Sequence, residues 1–566
     1  MTLSVKLKSV PVLRFVGIIL LYSYPTNAQF YSSQQLKAMH SEIPDDEYII
    51  IDKSLQARSP AYRVFSSNFF TAQVNVDSNG NNIVGDAANE PSIAVDPTNP
   101  DRIVIGWRQF DSVGNNFRQA GYGYSLDGGL SWTFPGVLDP GNFRSDPVLD
   151  FDKDGNFYYN SLQGSFACDV FKITNGGVVW DAPVSARGGD KQWMRIDRSN
   201  QASAGFNYSY WNESFTTCAG DFTRSVDGSN TFESCVSVLG DPFWGTLAVD
   251  NDGVLYITGT SPSGIIVIRS STAQYPTNPV TFDSFATVDL DGNLDAGIPV
   301  NPQGLLGQAW VDVDKSGGPG DGNLYVLASV QRNNGDPADV MFARSTDGGN
   351  SFEPPVRLND DANTTAFQWF GTMSVAPNGR IDVAWLDTRD APGGTVDSVL
   401  YYTFSIDNGD SWEINEPISL AFDPTIGYPQ QNKMGDYFDM VSDNDAAHLT
   451  WTNTLNGGQD VYYTRIEPFP LGVESFIADF GVTAYPNPFS DSITIEFNLP
   501  VNDEYLVEVF DMLGRKVNTL LKGCASGKQK WVWTGTNDTG RKLNSGLYFI
   551  SIKTNTSTEV IKVILQ

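Results

Sequence analysis

The sequence has few basic residues, few cysteines and few histidines. Its 566 residues contain 36 Lys and Arg against 66 Asp and Glu, with four cysteines and two histidines. The net charge of −30 repels phosphate backbones, which argues against nucleic acid as a partner. His40, in the N-terminal arm, and His448, on a predicted strand, are lone, so a histidine-based triad has no support. Four scattered cysteines and these two histidines do not build a typical zinc site.

Long apolar runs are missing after the N-terminus. Lys6, Lys8 and Arg14 precede the apolar run 15–22, and a small residue, Ala28, follows it. This order is typical of a signal peptide, which we place at residues 1–28, and an uncleaved anchor is the alternative. The run is too short for a stable spanning helix, and no later stretch is apolar enough. We therefore expect an exported mature chain without a transmembrane segment.

The four cysteines leave the disulfide pairing open in an exported chain. Cys218 and Cys235 flank one predicted hairpin, so a bridge between them is geometrically reasonable. Cys168 paired with either of them is the rival arrangement, and Cys524 is expected to stay single.

Gly and Pro are plentiful, at 53 and 31 residues, as in a turn-rich β-protein. Four segments share the pattern Ser-x-Asp-x-Gly/Asn-x-Ser/Thr-aromatic, and a worn copy spans residues 173–180. Asp and Ser side chains suit such a turn because they bind its backbone amides, while Gly accepts positive φ. The segments resemble the Asp boxes of sialidases and other propellers, which implies structural roles for Asp127, Asp227, Asp347 and Asp407.

A second repeat, an apolar strand followed by a turn and another strand, precedes each box. Its copies begin at Glu90, Asp146, Lys191, Trp244, Gln308, Trp369 and Asp436. These units predict an all-β propeller over residues 66–468; seven blades are favoured and six stay open. We expect the strand 70–76 to complete the last blade and seal its edge. Residues 29–65 form an N-terminal arm or a propeptide.

The blade pattern stops after residue 468, and residues 469–482 are assigned as a linker. Beyond it stand Tyr-Pro-Asn-Pro-Phe at 485–489, Asp-Met-Leu-Gly-Arg-Lys-Val at 511–517, Trp-Thr-Gly-Thr-Asn at 533–537 and Ser-Gly-Leu-Tyr-Phe at 545–549. Residues 483–566 resemble the type A sorting domain of type IX secretion, and their strands predict an Ig-like β-sandwich. The resemblance implies transit through the outer membrane, removal of the module, and release or attachment at the cell surface. A carbohydrate-binding sandwich is the alternative.

Propeller geometry predicts where chemistry would lie. If each box joins the third and fourth strands, then first strands begin, and second strands end, at the opposite face. Predicted residues of that face are Glu90, Arg108, Asp146, Asp190, Lys191, Trp244, Arg332, Trp369, Asp387, Arg389, Asp436 and Tyr437. Aromatic faces, carboxylates and guanidinium groups are suited to sugars. The predicted partner is therefore an extracellular glycan or polysaccharide.

Residues 70–466 resemble sialidase-like repeat proteins. That resemblance implies a substrate-binding arginine trio, Arg108, Arg332 and Arg389, and a nucleophilic tyrosine, Tyr437. The Arg-Ile-Pro motif of the first sialidase blade is absent. Hydrolysis by a pair among Glu90, Asp146, Asp190 and Asp436 is a broader option. Lyase chemistry with Tyr437 or Lys191 as base also stays open.

No cofactor is required by these patterns, although a structural calcium ion would fit one of them. Asp150, Asp152 and Asp154 place oxygen ligands at alternate positions, as do two further segments, 289–295 and 312–321. Asp-Gly pairs are also ordinary turn formers.

Two functional hypotheses follow. The first is a secreted propeller that acts on or binds extracellular glycans. The sequence does not decide whether this propeller is an enzyme. The second is a non-catalytic surface adhesion or binding protein. Both use the type IX secretion machinery as a partner.

Overall fold

The computed structural model describes residues 32–39, 44–174, 176, 178–468, 482–511, 515–554 and 558–566. The predicted signal peptide, His40, and Asn175 and Gly177 of the worn box lie outside the described residues. The chain divides into two compact units, Met1–Pro468 and Phe469–Gln566. Within the described ranges, no helix has both the length and the apolar character needed to cross a membrane.

The first unit begins with an arm and four short strands. In chain order they are helix α1 Ser33–Met39, a 3-10 helix Lys53–Leu55, β1 Arg58–Pro60, β2 Arg63–Phe65, β3 Phe69–Gln73 and β4 Asn81–Ile83. Strands β1 and β4 pair with each other, whereas β2 and β3 join a sheet built from the far end of the unit.

Seven antiparallel sheets make up the body of this unit. Sheet 1 contains β5 Ala87–Val95, β6 Ile103–Phe110, β7 Gln119–Ser125 and β8 Thr133–Leu138, and sheet 2 contains β9 Arg144–Phe151, β10 Phe157–Gln163, β11 Cys168–Ile173 and β12 Val184–Ser185. Sheet 3 contains β13 Trp193–Ile196, β14 Asn207–Tyr210 and β15 Phe222–Ser225, and sheet 4 contains β16 Leu247–Val249, β17 Leu255–Ser261, β18 Gly264–Ser270 and β19 Ser284–Val288.

The remaining three sheets follow after an inserted segment. That segment contains β20 Gly292–Asn293, which pairs with β24, and the hairpin of β21 Ala296–Ile298 and β22 Asn301–Leu305. Sheet 5 contains β23 Trp310–Val313, β24 Leu324–Arg332, β25 Asp339–Ser345 and β26 Val356–Arg357, and sheet 6 contains β27 Gln368–Val375, β28 Ile381–Asp387, β29 Val399–Ser405 and β30 Glu416–Pro417. Sheet 7 contains β31 Asp439–Ser442, β32 Ala447–Asn453 and β33 Asp460–Ile466, followed by β3 and β2.

The first strands of neighbouring sheets are hydrogen-bonded in a closed ring. Side chains or backbone atoms make the link at every step: Leu149 N–H to Ser92 Oγ, Ile196 N–H to Asp150 Oδ2, Arg195 Nε to the Leu247 carbonyl, Val311 N–H to Thr246 Oγ1, Val375 N–H to Asp312 Oδ2, Ser442 N–H to Ser374 Oγ, and Ser92 Oγ to Asp439 Oδ2. Because such strands are covered on both faces, β5 and β9 are buried along their whole length. The unit is an all-β propeller, and we interpret each sheet as one blade.

The predicted closing strand is confirmed. Strand β3 pairs with β33, with Thr71 opposite Thr464, and the two hydroxyl oxygens are 2.9 Å apart. The last sheet therefore gains its outer strands from the start of the chain, which covers the edge that β33 would otherwise expose.

The four box turns close in one common way. In the first, Ser125 Oγ accepts the Gly129 N–H at 2.8 Å, and Asp127 Oδ1 accepts the Ser131 N–H at 2.8 Å. The same pair of bonds occurs in the boxes of Asp227, Asp347 and Asp407. The predicted structural role of these aspartates agrees with this geometry.

A disulfide joins Cys218 and Cys235, with the two Cα atoms 6.2 Å apart, so the favoured pairing is confirmed. Cys168 is a buried free thiol, which overturns the rival pairing. The side chain of Cys524 lies outside the described residues.

The second unit is one five-stranded sheet around a small apolar core. Its strands are β34 Thr483–Tyr485, β35 Ile493–Asp511, β36 Lys516–Trp533, β37 Gly546–Thr554 and β38 Thr558–Leu565. Phe489, Trp533 and Ile550 belong to the core. The Ig-like form of this unit stays a prediction.

Candidate functional site

A backbone bulge recurs at the start of the first strands. In five sheets the residue five positions before the end of the first strand has positive φ: Glu90 (55°), Asp146 (45°), Lys191 (54°), Trp244 (54°) and Phe370 (55°). Such φ values are uncommon for non-glycine residues and persist only where the surroundings impose them. The strand register shifts at this point in sheet 1, between Asn89 and Ser92. In sheets 5 and 7 a glycine takes positive φ slightly earlier, Gly307 by one residue and Gly435 by two.

The boxes lie at the opposite end of the sheets from these bulges. In sheet 1, Ala87 pairs with Phe110 at one end of the second strand, whereas Ile103 pairs with Ser125 of the box at the other end. The predicted separation of box turns from first-strand starts is therefore confirmed in this sheet.

The bulged positions bring charged side chains from sheets 1, 2, 3 and 7 together. We define the axial charge cluster as Glu90, Arg108, Asp146, Asp190, Lys191, Lys433 and Asp436, of which none is more than 3% exposed. Lys191 Nζ is its centre, at 2.8 Å from Asp436 Oδ2, 3.5 Å from Asp146 Oδ2 and 3.8 Å from Asp190 Oδ1. Arg108 Nε is 2.7 Å from Glu90 Oε2, and Lys433 Nζ is 3.0 Å from Asp436 Oδ2.

The electrostatics of the cluster are those of a buried ion-pair network. Burial raises the pKa of Glu90 to about 7, while the cations Arg108 and Lys191 oppose that rise. Burial alone would lower the pKa of Lys191, but the surrounding carboxylates, led by that of Asp146, raise it well above its usual range. Each charge in the network is thus compensated by a neighbour, as buried charges must be.

Tyr437 lies beside the cluster but is not activated. Its hydroxyl donates a 2.7 Å hydrogen bond to the carbonyl of Pro147. Burial and the nearby carboxylates of Glu90 and Asp146 raise its pKa well above 10, which disfavours the phenolate. A nucleophilic or basic tyrosine needs the opposite shift.

Two arginines of the predicted trio, Arg332 and Arg389, are engaged in local ion pairs. Arg332 pairs with Asp291 at 2.6 Å and with Asp339. Arg389 pairs with Asp387 at 2.8 Å and with Asp360 at 2.6 Å. Each arginine, like Arg108, thus has local carboxylate partners, and a substrate site shared by Arg108, Arg332, Asp387 and Arg389 stays a prediction.

The tryptophans predicted as sugar platforms are core residues. Trp244 and Trp369 have no exposed surface, and the Trp369 Nε1 donates to Ser398 Oγ at 3.2 Å. Their aromatic faces are therefore covered by protein, which corrects the prediction. An aromatic residue at the start of a strand has the same sequence pattern in either role.

Asp150 and Asp152, two aspartates of the predicted calcium site, bind protein groups in the structure. Asp150 binds Arg198 at 2.5 Å and the Ile196 N–H at 2.6 Å. Asp152 accepts the N–H groups of Asp154 and Asn156 and so closes a turn. Across the described residues, no group of three or more Asp, Glu, His or Cys is placed to hold a metal ion. Calcium binding stays a prediction without a built site.

A cavity of about 220 Å³ opens next to the cluster, and we call it the rim pocket. Its lining is Pro44, Asp45, Arg118, Phe143, Asp146, Leu162, Gln163, Gly164, Phe166, Asp190 and Phe215. The Phe166 and Phe215 rings are 5.6 Å apart, and Phe166 is 41% exposed. Sequence reasoning missed Arg118, although its place just before the third strand of sheet 1 puts it at the predicted face.

The N-terminal arm reaches this pocket. Asp45 pairs with Arg118 at 2.9 Å, and the Asp46 carboxylate accepts the Asn116 N–H at 2.9 Å. Earlier in the arm, Leu36 is fully buried in the apolar cluster that includes Trp244. The arm therefore packs on the face where the first strands begin, and one of its carboxylates occupies the pocket arginine.

Residues 483–566 match the family model of the secretion system C-terminal sorting domain. The chain is thus exported through type IX secretion to the cell surface or the extracellular space. The comparison with curated proteins found no match.

Several solved structures are similar to the chain at low identity. A protein of unknown function from Dyadobacter fermentans DSM 18053 is 12% identical with a TM-score of 0.39, over 70% of this chain and 97% of that one. A Trypanosoma rangeli sialidase in complex with the inhibitor DANA is 11% identical with a TM-score of 0.35, over 89% of each chain. PorZ, a surface component of the type IX secretion system of Porphyromonas gingivalis, is 13% identical with a TM-score of 0.29, over 88% of this chain and 73% of that one. These likenesses carry no argument about activity.

Proposed function

We propose that the chain is a secreted surface protein whose propeller binds acidic glycans at the rim pocket and does not cleave them. One contrast supports the proposal. The carboxylates predicted as catalytic are buried in ion pairs, and this includes Asp146 and Asp190, which border the rim pocket but pair with Lys191. The rim pocket itself presents an exposed ring, that of Phe166, close to Arg118. Glycoside hydrolysis or elimination needs an acid, base or nucleophile that reaches the sugar.

The rim pocket has the two chemistries that an acidic sugar requires. Phe166 and Phe215 offer apolar faces for a sugar ring. Arg118 supplies the guanidinium for a carboxylate or sulfate, and Phe143 lies 5.0 Å from its Cζ. Asp45 already occupies that guanidinium, so an acidic substituent would replace an internal carboxylate of the same chemistry.

The test uses the full chain on an array of acidic and neutral polysaccharides, followed by incubation with each polysaccharide in solution. We expect retention of acidic glycans, with no new reducing ends and no 4,5-unsaturated products. If the unaltered chain forms such products and the Asp436→Asn variant does not, the proposal that the protein is non-catalytic would be overturned. No retention on any glycan would overturn the binding reading.

A matched pair of variants locates the binding. Phe166→Ala is expected to weaken glycan binding by about fivefold, since loss of one stacking ring costs on the order of 1 kcal/mol. Phe285→Ala removes an equally simple ring, 39% exposed on strand β19 of sheet 4, and should leave binding unchanged. Equal effects of the two variants would exclude the rim pocket as the site.

A further inference from the structure

A second cavity lies at the other end of the ring. It has a volume of about 440 Å³ and is bounded by the last residues of first strands, and we call it the channel pocket. Its apolar lining includes Val95, Phe151, Val249, Trp310, Val375 and Val441. This end carries the box turns, so the channel pocket is separate from the axial charge cluster and from the rim pocket.

Three cations line one wall of the channel pocket in a protein with a net charge of −30. Arg195 and Arg198 come from the first strand of sheet 3 and the turn after it, and Lys315 follows the first strand of sheet 5. The side chains of Arg195 and Arg198 are 18% and 24% exposed. The Cζ atom of Arg198 lies over the ring of Phe151, at 4.2 Å from the ring centre.

Lys315 has no carboxylate partner in the described part of the chain. Its Nζ donates one long hydrogen bond, 3.4 Å, to the carbonyl of Val249, and no described carboxylate oxygen lies within 4.0 Å. Burial lowers the pKa of Lys315, and the positive charges of Arg198 and Arg195 add to that effect against the attraction of Asp312. A half-buried ammonium group that two arginines repel is an unfavourable arrangement unless anions compensate it.

Four acids in or beside the pocket already have partners. Asp150 accepts the Ile196 N–H, and Asp312 accepts the Val375 N–H at 2.8 Å, so both maintain the ring of first strands. On the opposite wall, Asp96 pairs with Arg102, and Asp443 pairs with His448 at 3.0 Å. Lys315 lines the cavity with its Nζ bound to a backbone carbonyl rather than to a protein carboxylate.

We infer that the channel pocket binds a small oxyanion-bearing ligand of about monosaccharide size, whose carboxylate or sulfate contacts Arg195, Arg198 and Lys315. The volume falls within the range of small-molecule sites, and the valines and Trp310 supply an apolar surface for the body of the ligand. Charge-assisted hydrogen bonds from guanidinium and ammonium groups are the strong contacts of such sites.

Calorimetric titration of the full chain with sodium glucuronate, sodium sulfate and neutral glucose tests the inference. We expect one equivalent of an anion to bind, glucose to give no signal, and added salt to weaken the interaction. Tighter binding of glucuronate than of sulfate identifies a sugar acid as the ligand class, and equal binding identifies the free anion. No binding of either anion would overturn the inference.

Variants at Lys315 separate a ligand site from a structural charge. Lys315→Met should reduce anion affinity at least tenfold while raising the thermal midpoint of unfolding, because it removes an uncompensated buried charge without a pairing partner. Lys315→Arg should keep binding within about threefold, since the charge is retained. The control Arg269→Gln removes a cation that is paired with Asp283 on the outer surface and should change neither quantity.

Anion binding at the channel pocket can be distinguished from binding at the rim pocket. Phe166→Ala should leave glucuronate binding intact if the channel pocket is occupied. Anion binding that is lost in Phe166→Ala and kept in Lys315→Met would assign the ligand to the rim pocket and overturn this inference. A fall in thermal midpoint for Lys315→Met, with unchanged anion affinity, would mark Lys315 as structural and overturn it equally.

Discussion

The hydroxyl of Ser92 donates a 2.6 Å hydrogen bond to the carboxylate of Asp439, and so connects the first and last sheets of the ring. Asp439 also accepts the Ile93 N–H at 3.1 Å, while Ser92 accepts the Leu149 N–H from sheet 2. One serine therefore touches three consecutive sheets, at the place where the two ends of the propeller meet.

This contact predicts a selective effect at Asp439. Asp439→Ala should lower the free energy of unfolding by about 2–4 kcal/mol because two buried donors lose their acceptor. Asp439→Asn keeps an acceptor oxygen and should cost less than about 1 kcal/mol. Denaturant unfolding of both variants measures the difference, and equal destabilisation would mean that the hydrogen bonds at this closure are unimportant.

Stability should fall as pH rises from about 4 to about 7. Burial raises the pKa of Asp221 to about 7 and that of Asp439 to about 6, so the folded protein holds these protons more tightly than the unfolded chain. Their contribution is complete below the unfolded pKa and is lost as pH rises through the folded value, by about 1.4 kcal/mol per pH unit per group. Asp221→Asn should flatten this part of the profile, and an unchanged slope would show that Asp221 does not titrate there.

The stability that the box turns contribute should depend on pH in the acidic range, and it should fall as pH falls. Hydrogen bonds from Ser351, and then from Ser345, lower the pKa of Asp347 to about 2, so its stabilising effect is present above pH 4 and disappears toward pH 2. At neutral pH, Asp347→Ala should cost about 1 kcal/mol through the lost turn bonds. Asp252→Ala, in an exposed turn without a box, is the matched control for thermal melting.

The disulfide should contribute measurable stability. Cys218 and Cys235 are 17 residues apart in sequence, and closing a loop of that size is worth about 3 kcal/mol in the chain-entropy model. A Cys218→Ser, Cys235→Ser double variant should therefore unfold at lower denaturant concentration, whereas Cys168→Ser alone, at the free thiol, should not reproduce the effect of breaking this loop.

The arm carboxylate should compete with acidic glycans, provided that the rim pocket is the glycan site. Asp45→Asn removes the ion pair with Arg118 and should raise the affinity for an acidic glycan by about three- to tenfold, as expected for release of one partly exposed pair. Binding of a neutral glycan should not change. Weaker acidic-glycan binding in Asp45→Asn would show that Asp45 helps to hold the ligand instead.

Much of the propeller could be predicted from local pattern. The boxes and the first-strand repeats are short-range signals, because a turn's Asp and Gly and a strand's apolar residues are neighbours in sequence. The same repeat also predicted that Asp146, Lys191 and Asp436 would converge, since equivalent positions of a ring face its axis.

Burial and partner choice were not predictable in this way. Whether Trp244 faces a ligand or the core depends on the arm and on neighbouring sheets, which are far away in sequence. The ion pairs of Arg332 and Arg389 depend likewise on Asp291 and Asp360, which local patterning does not single out. Sequence reasoning missed the cations of the channel pocket because they lie where first strands end. That end carries the box turns, and the functional residues were expected at the opposite end.

The pairing of β3 with β33 means that the propeller can close only when both ends of this unit are present. Thr71 and Thr464, which face each other there, are separated by 393 positions, so a strand near the start of the chain can pair only when one of the last strands of the unit is present. A polypeptide halted or clipped before residue 460 would carry a lone N-terminal strand and an open gap where sheet 7 belongs. Both leave strand edges with unpaired backbone N–H and C=O groups. Incomplete molecules should therefore associate with one another or be degraded rather than persist as shorter functional forms.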